Sequence, residues 1–108
     1  MAKDIKFDTK GLIPAVVQDA DTGEVLMLGY MNEEALNRTL TSGDVWFFSR
    51  RRQELWHKGA TSGHFIHTIE VWKDCDNDTI LVKAKPVGSV CHTGNKTCFF
   101  QRINKEDL

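Results

Sequence analysis

Apolar positions along this chain fall into short runs separated by polar turns, the punctuation of a small sheet protein. Residues 12–20 are apolar and partly β-branched (Ile13, Val16, Val17), which predicts a strand. Asp21-Thr22-Gly23-Glu24 is a turn signature, and residues 25–31 return as a second strand, so the pair reads as an antiparallel hairpin. Ahead of it, residues 1–10 are polar apart from Ile5 and Phe7 and read as a loosely held lead-in. Asn32 is a good N-cap, Glu33 and Glu34 suit the positive end of a helix, and Ala35, Leu36 and Leu40 recur at helical spacing. With Gly43 as the stop, this predicts a helix over residues 32–42 that covers one face of a sheet.

The second half repeats the strand pattern. Val45-Trp46-Phe47-Phe48 is the centre of a buried strand over 44–50, followed by a loop carrying Arg50-Arg51-Arg52. Residues 64–73 alternate, with Phe65, His67, Ile69 and Val71 on one side, and Arg51 faces away from Arg50 and Arg52 if the preceding strand continues. Residues 79–85 form another strand, with Ile80, Val82 and Ala84 inward and Lys83 and Lys85 outward, and residues 98–103 a last short one. The expected architecture is a single α+β domain, a mainly antiparallel β-sheet with one principal helix.

The totals narrow the function. At 108 residues the chain is one domain, and 41% hydrophobic with 27% charged residues is ordinary soluble composition. A net charge of −1 argues against nucleic acid or a membrane surface as partner, so an anionic ligand needs a local basic cluster. The longest apolar run, residues 25–31, is too short to span a bilayer, and no signal peptide is expected at the start. Three cysteines are an odd number, which rules out a closed disulfide framework and points to reduced thiols in the cytoplasm.

All three cysteines fall within residues 74–98. Cys91 and Cys98 flank a polar loop with a Gly-Asn turn; with Cys75 they offer three soft ligands, the pattern of a catalytic zinc with one open position. A structural zinc with His92 as fourth ligand, or three unlinked thiols, are the alternatives. Three thiolates leave zinc at net −1, so a cation or proton acceptor must sit close; His92 leads, followed by His57, His64 and Lys58. Asp74, Asp76 and Asp78 alternate with Cys75, and in an extended segment they share one side. Their mutual repulsion suits a hard cation such as magnesium, although an acidic surface turn is the plainer reading. Arg50, Arg51, Arg52, Lys58, Gly59, Thr61, Ser62 and Gly63 supply forks, hydroxyls and backbone N–H groups that suit phosphate.

Phe48-Ser49-Arg50, Leu55-Trp56-His57-Lys58-Gly59, Thr61-Ser62-Gly63, Asp74-Cys75-Asp76-Asn77-Asp78 and Cys91-His92-Thr93-Gly94 with Cys98-Phe99, in that order, resemble phosphoribosyl-AMP cyclohydrolase of histidine biosynthesis. The resemblance runs from about Leu12 to Phe100. It implies a cytoplasmic homodimer that hydrolyses the N1–C6 bond of the adenine ring of phosphoribosyl-AMP. It further implies zinc on Cys75, Cys91 and Cys98, with Cys75 from the other subunit, and magnesium on Asp74, Asp76 and Asp78. On that reading His92 helps deprotonate the attacking water, while Arg50, Trp56, Lys58, Thr61, Ser62 and Gly63 bind substrate. Ala60 departs from the resemblance, since the family often has glutamate there. The competing class is a zinc-stabilised nucleotide- or RNA-binding module without catalysis. A redox sensor on Cys91 and Cys98 lacks the Cys-x-x-Cys spacing.

Overall fold

The hairpin signalled by Asp21-Thr22-Gly23-Glu24 forms in the computed structural model, which describes residues 4–108. Strand β1 (Ile13–Asp19) pairs antiparallel with β2 (Val25–Met31), and Gly23 takes the positive φ the turn requires. The Asp19 carboxylate ties that turn by accepting from the N–H groups of Asp21 at 2.8 Å and Thr22 at 3.2 Å.

Helix α1 (Glu33–Ser42) begins as expected: Asn32 accepts from Ala35 N–H at 2.8 Å, and Gly43 closes the end in the left-handed region. The buried face differs from the expected one. Ala35 and Leu36 are buried, but Leu40 is half exposed and Thr39 is fully buried in its place. Thr39 is tolerated inside because its hydroxyl donates to the Ala35 carbonyl and accepts from Trp46 N–H.

Strands β3 (Trp46–Ser49) and β4 (Glu54–His57) form a separate two-stranded hairpin. Because β3 ends at Ser49, Arg50 to Gln53 turn instead of continuing the strand, and the expected alternation of the three arginines does not arise. Phe47 reaches the core by lying flat on β2 at Gly29; a Cβ there would sit 2.6 Å from the ring.

Strands β5 (Ile66–Lys73) and β6 (Ile80–Pro86) pair antiparallel, and the main sheet runs β2-β1-β6-β5. Its central pair, β1 with β6, is parallel. Ile80, Val82 and Ala84 point inward as expected. In β5 the even alternation fails, because a bulge at Ile69 switches the faces. Ile66, Thr68 and then Val71 share the inward side, and Ile69 is exposed.

Two expectations for the ends are corrected. Residues 98–103 form no strand; only Cys98 N–H docks on the edge of β2, donating to the Leu26 carbonyl at 2.8 Å. Nor is the lead-in loose over its described part. Ile5 and Phe7 pack on the core, and Lys6 N–H donates to the Asn77 carbonyl at 2.8 Å. The first three residues of that call lie outside the described residues. Among the described residues no helix is long and apolar enough to cross a membrane.

Candidate active site

Six residues link Cys91 to Cys98, and the polar loop closes on itself. Val90 N–H donates to the Lys96 carbonyl and Cys91 N–H to the Asn95 carbonyl, each at 3.1 Å, with Gly94 at positive φ on the tip. Thr97 then anchors the loop to β2, its hydroxyl donating to the Val25 carbonyl at 2.7 Å. These ties bring Cys91 and Cys98 close enough that each thiol perturbs the other.

The pair is asymmetric. The Thr93 hydroxyl donates to Cys91 Sγ at 3.1 Å and holds that thiol below its ordinary pKa. Burial, and then the neighbouring Cys91, push Cys98 upward. Lys58 lies against both. Its Nζ donates to the Val90 carbonyl at 2.7 Å and stands 5.1 Å from the Trp56 ring centre, and burial lowers its pKa against the pull of the two thiols. Lys58 is thus the cation placed beside the two thiols. His92, the expected proton acceptor, follows directly after Cys91 and is solvent-exposed.

Beside the thiols lies a cavity of about 420 Å³ whose lining includes Trp56, Lys58, Thr61, Ser62, Cys91 and His92. The Thr61-Ser62 turn is held by Gly63 N–H donating to the Gly59 carbonyl at 2.8 Å. Gly59 is required twice over: its φ is +96°, and a Cβ would lie 2.5 Å from the Phe65 nitrogen. Gly63, also at positive φ, leaves its surroundings open. His64 borders the same cavity, its Nδ1 3.1 Å from the Ser89 carbonyl.

Asp74, Asp76 and Asp78 converge, each offering an oxygen within 4.8 Å of the others. The cause is not the strand period. The segment is the β5–β6 turn, in which Asn77 takes φ +65° and Asp74 accepts from Asp78 N–H at 3.1 Å and Thr79 N–H at 3.2 Å. Contact with Asp78 and Asp74 raises the Asp76 pKa. Slight burial opposes ionisation of Asp74, but its hydrogen bonds outweigh that and hold it low. Oxygen ligands, like charge and exposure fit a hard divalent cation.

Cys75, exposed in that same turn, does not join the other two thiols within one chain: among the described residues the aspartates are the only group of three potential ligands brought together. The seven residues of β6 put roughly 20 Å between its ends. A soft pair and a hard triad therefore sit at opposite ends of one strand.

A second cavity, of about 700 Å³ and also lined by Trp56, opens between β2 and the arginine turn. Arg50 and Arg51 border it, as do Tyr30 and Lys10, which the sequence reading missed. Also missed was Asp44, whose carboxylate receives His67 Nδ1 at 2.8 Å and His57 Nε2 at 3.2 Å, while His57 stacks on Trp46 at 4.4 Å. His57 and His67 lie in different strands and Asp44 outside both, so no sequence spacing joins the three into a readable pattern.

A family model described as phosphoribosyl-AMP cyclohydrolase matches residues 27–100. A phosphoribosyl-AMP cyclohydrolase of Listeria monocytogenes is 56% identical over 93% of this chain and 94% of its own length. One of Clostridium beijerinckii is 62% identical over 86% of this chain and 85% of its own. The histidine biosynthesis bifunctional protein HisIE of Halalkalibacterium halodurans is 52% identical over 93% of this chain, which spans 47% of that relative.

Proposed function

The chain belongs to the phosphoribosyl-AMP cyclohydrolase family, hydrolases of histidine biosynthesis, and we propose that it opens the adenine ring of phosphoribosyl-AMP at a zinc site shared across a homodimer. The reading rests above all on the neighbouring free thiols of Cys91 and Cys98, with Cys91 lining a cavity that also carries His92 and Lys58. Family membership displaces the non-catalytic binding module.

Ribosylation at N1 gives the adenine amidinium character and makes C6 electrophilic. Zinc, held by Cys91, Cys98 and Cys75 of the partner subunit, would supply the Lewis acidity that makes water nucleophilic near neutral pH. His92 accepts the proton as the water oxygen bonds to C6, the N1–C6 bond then breaks, and a proton goes to N1. Lys58 offsets the negative charge of the thiolate set and, with Thr61 and Ser62, faces the substrate in the cavity, while Gly63 holds the Thr61-Ser62 turn through its N–H to the Gly59 carbonyl. Asp74, Asp76 and Asp78 would hold magnesium, a natural companion for a substrate with two phosphates. Trp56 lines both cavities and offers a flat apolar wall between them.

The two-subunit assignment is supported by the separation of Cys75 from the other thiols and by unpartnered apolar surface. Leu28, Trp72, Phe99 and Ile103 are all about half exposed or more. The cytoplasm fits a biosynthetic enzyme using free thiols. The test is incubation of purified protein with phosphoribosyl-AMP, following loss of the N1-substituted adenine absorbance with and without a zinc chelator. Chelator-sensitive ring opening supports the reading; an intact ring after prolonged incubation with zinc and magnesium overturns it.

A further inference from the structure

The cavity between β2 and the arginine turn carries positive charge that nothing answers. No ion pair among the described residues engages Lys10, Arg50 or Arg51, whereas Arg52, next in the turn, pairs with Glu54 at 3.6 Å. Asp8, near Lys10 in sequence, instead accepts from the N–H groups of Lys10 and Leu12 through Oδ1. On a chain of net charge −1, three free cations around one cavity are a local excess.

One of the three is already positioned. The Arg50 guanidinium carbon lies 3.8 Å from the centre of the Tyr30 ring, a cation–π contact that holds the fork, and among the described residues no carboxylate pairs with its N–H groups, which suit a bidentate acceptor. Tyr30 is placed by β2, the strand on which Phe47 packs flat at Gly29. Trp56 lines both this cavity and the thiol-side cavity, so the two are neighbours on one ring.

We propose that Lys10, Arg50 and Arg51 form a subsite for one terminal phosphate ester of the substrate, with Tyr30 as the residue that positions Arg50. This rests on the assignment of phosphoribosyl-AMP as substrate and adds a phosphate site separate from the Lys58-Thr61-Ser62 side. The substrate has two sugar phosphates, one on each ribose, and either has the chemistry the subsite takes.

Equilibrium binding to the full chain is measured for AMP against adenosine and for ribose 5-phosphate against ribose. One phosphorylated probe should bind the wild type at least about tenfold more tightly than its dephosphorylated form. That advantage should fall to near unity in Arg50→Ala and Tyr30→Ala and persist in Tyr30→Phe, which keeps the stack. The probe affected identifies the phosphate. In turnover, Arg51→Ala should raise KM for phosphoribosyl-AMP about tenfold with kcat changed less than about threefold. The proposal is overturned if the wild type shows no phosphate advantage, if the advantage survives Arg50→Ala, or if Tyr30→Phe loses as much as Tyr30→Ala. A phosphate advantage without ring opening removes the substrate assignment and leaves the subsite. Normal ring opening without the advantage removes the subsite alone.

Discussion

The acidic turn and the cysteine loop lie at the two ends of β6, and they are built to different degrees of completion. The acidic turn gathers three carboxylates from five consecutive residues, held by backbone N–H groups of the same turn. The cysteine loop gathers two thiols and a lysine by docking on β2 and leaves the third cysteine behind. A local turn can assemble a hard site alone. A cluster of side chains distant in sequence needs tertiary structure to bring them together, and Cys75 stays apart from the other two thiols within the chain.

The largest expected effect tests the cysteine end. Cys91→Ser should lower bound zinc from about one per chain to near zero and reduce activity by at least about a hundredfold, read by metal analysis and ring opening. Full activity in the metal-free variant sinks the catalytic-zinc assignment. Next comes the sharing of the site. Inactive Cys75→Ser and Cys91→Ser proteins, unfolded and refolded together, should recover roughly a quarter of wild-type activity, because mixed two-fold dimers hold one intact site. Mixed dimers that form and stay inactive would place each zinc within one chain.

A smaller effect is expected at the acidic end. Asp76→Asn should shift the magnesium dependence about tenfold while leaving zinc content unchanged. Zinc lost as readily as in the cysteine variants would merge the two sites into one.

The smallest effect lies away from both ends. Burial opposes ionisation of Asp44, but hydrogen bonds with His67 and His57 outweigh it and hold its pKa below the usual 3.8. A depressed carboxyl stabilises the fold fully above its unfolded pKa, and that contribution fades as pH falls through the folded value. Asp44→Asn should therefore cost about 1–3 kcal/mol near neutral pH in denaturant unfolding, with the gap to wild type closing as pH falls below the usual 3.8 and through the depressed folded value. A gap that stays constant with pH would assign the loss to packing.

Local chemistry was legible in the sequence where one element decides it. Asn32 and Gly43 bounded the helix, Gly23 marked the hairpin, and Gly94 marked the tip of the cysteine loop. What tertiary contact decides was not. Leu40 looked like a core residue, but the helix is rotated so that Thr39, satisfied by two hydrogen bonds, occupies the interior. The alternation of β5 hid the bulge at Ile69, which no residue type announces. The aspartates converge as expected, through a turn at Asn77 instead of an extended strand. Phe99, Phe100 and Ile103 have the composition of a strand but stay exposed without a neighbour to pair with. At the site, the cysteines and acidic residues stood out by their rarity and clustering. Tyr30 and Lys10 did not, because they join Arg50 only after β2 and the arginine turn meet.

The parallel pairing of β1 with β6 also sets the order of events as the chain folds. Ala15 cannot meet Ile80, nor Val17 meet Val82, until almost the whole sequence between them exists. The β1–β2 hairpin and α1 can form early from local contacts, but the centre of the sheet closes late, at the loop-closure cost of a long intervening chain. A ribosome-bound chain ending before β6 would thus expose the inner edge of β1, which makes the hairpin the segment most in need of protection during synthesis.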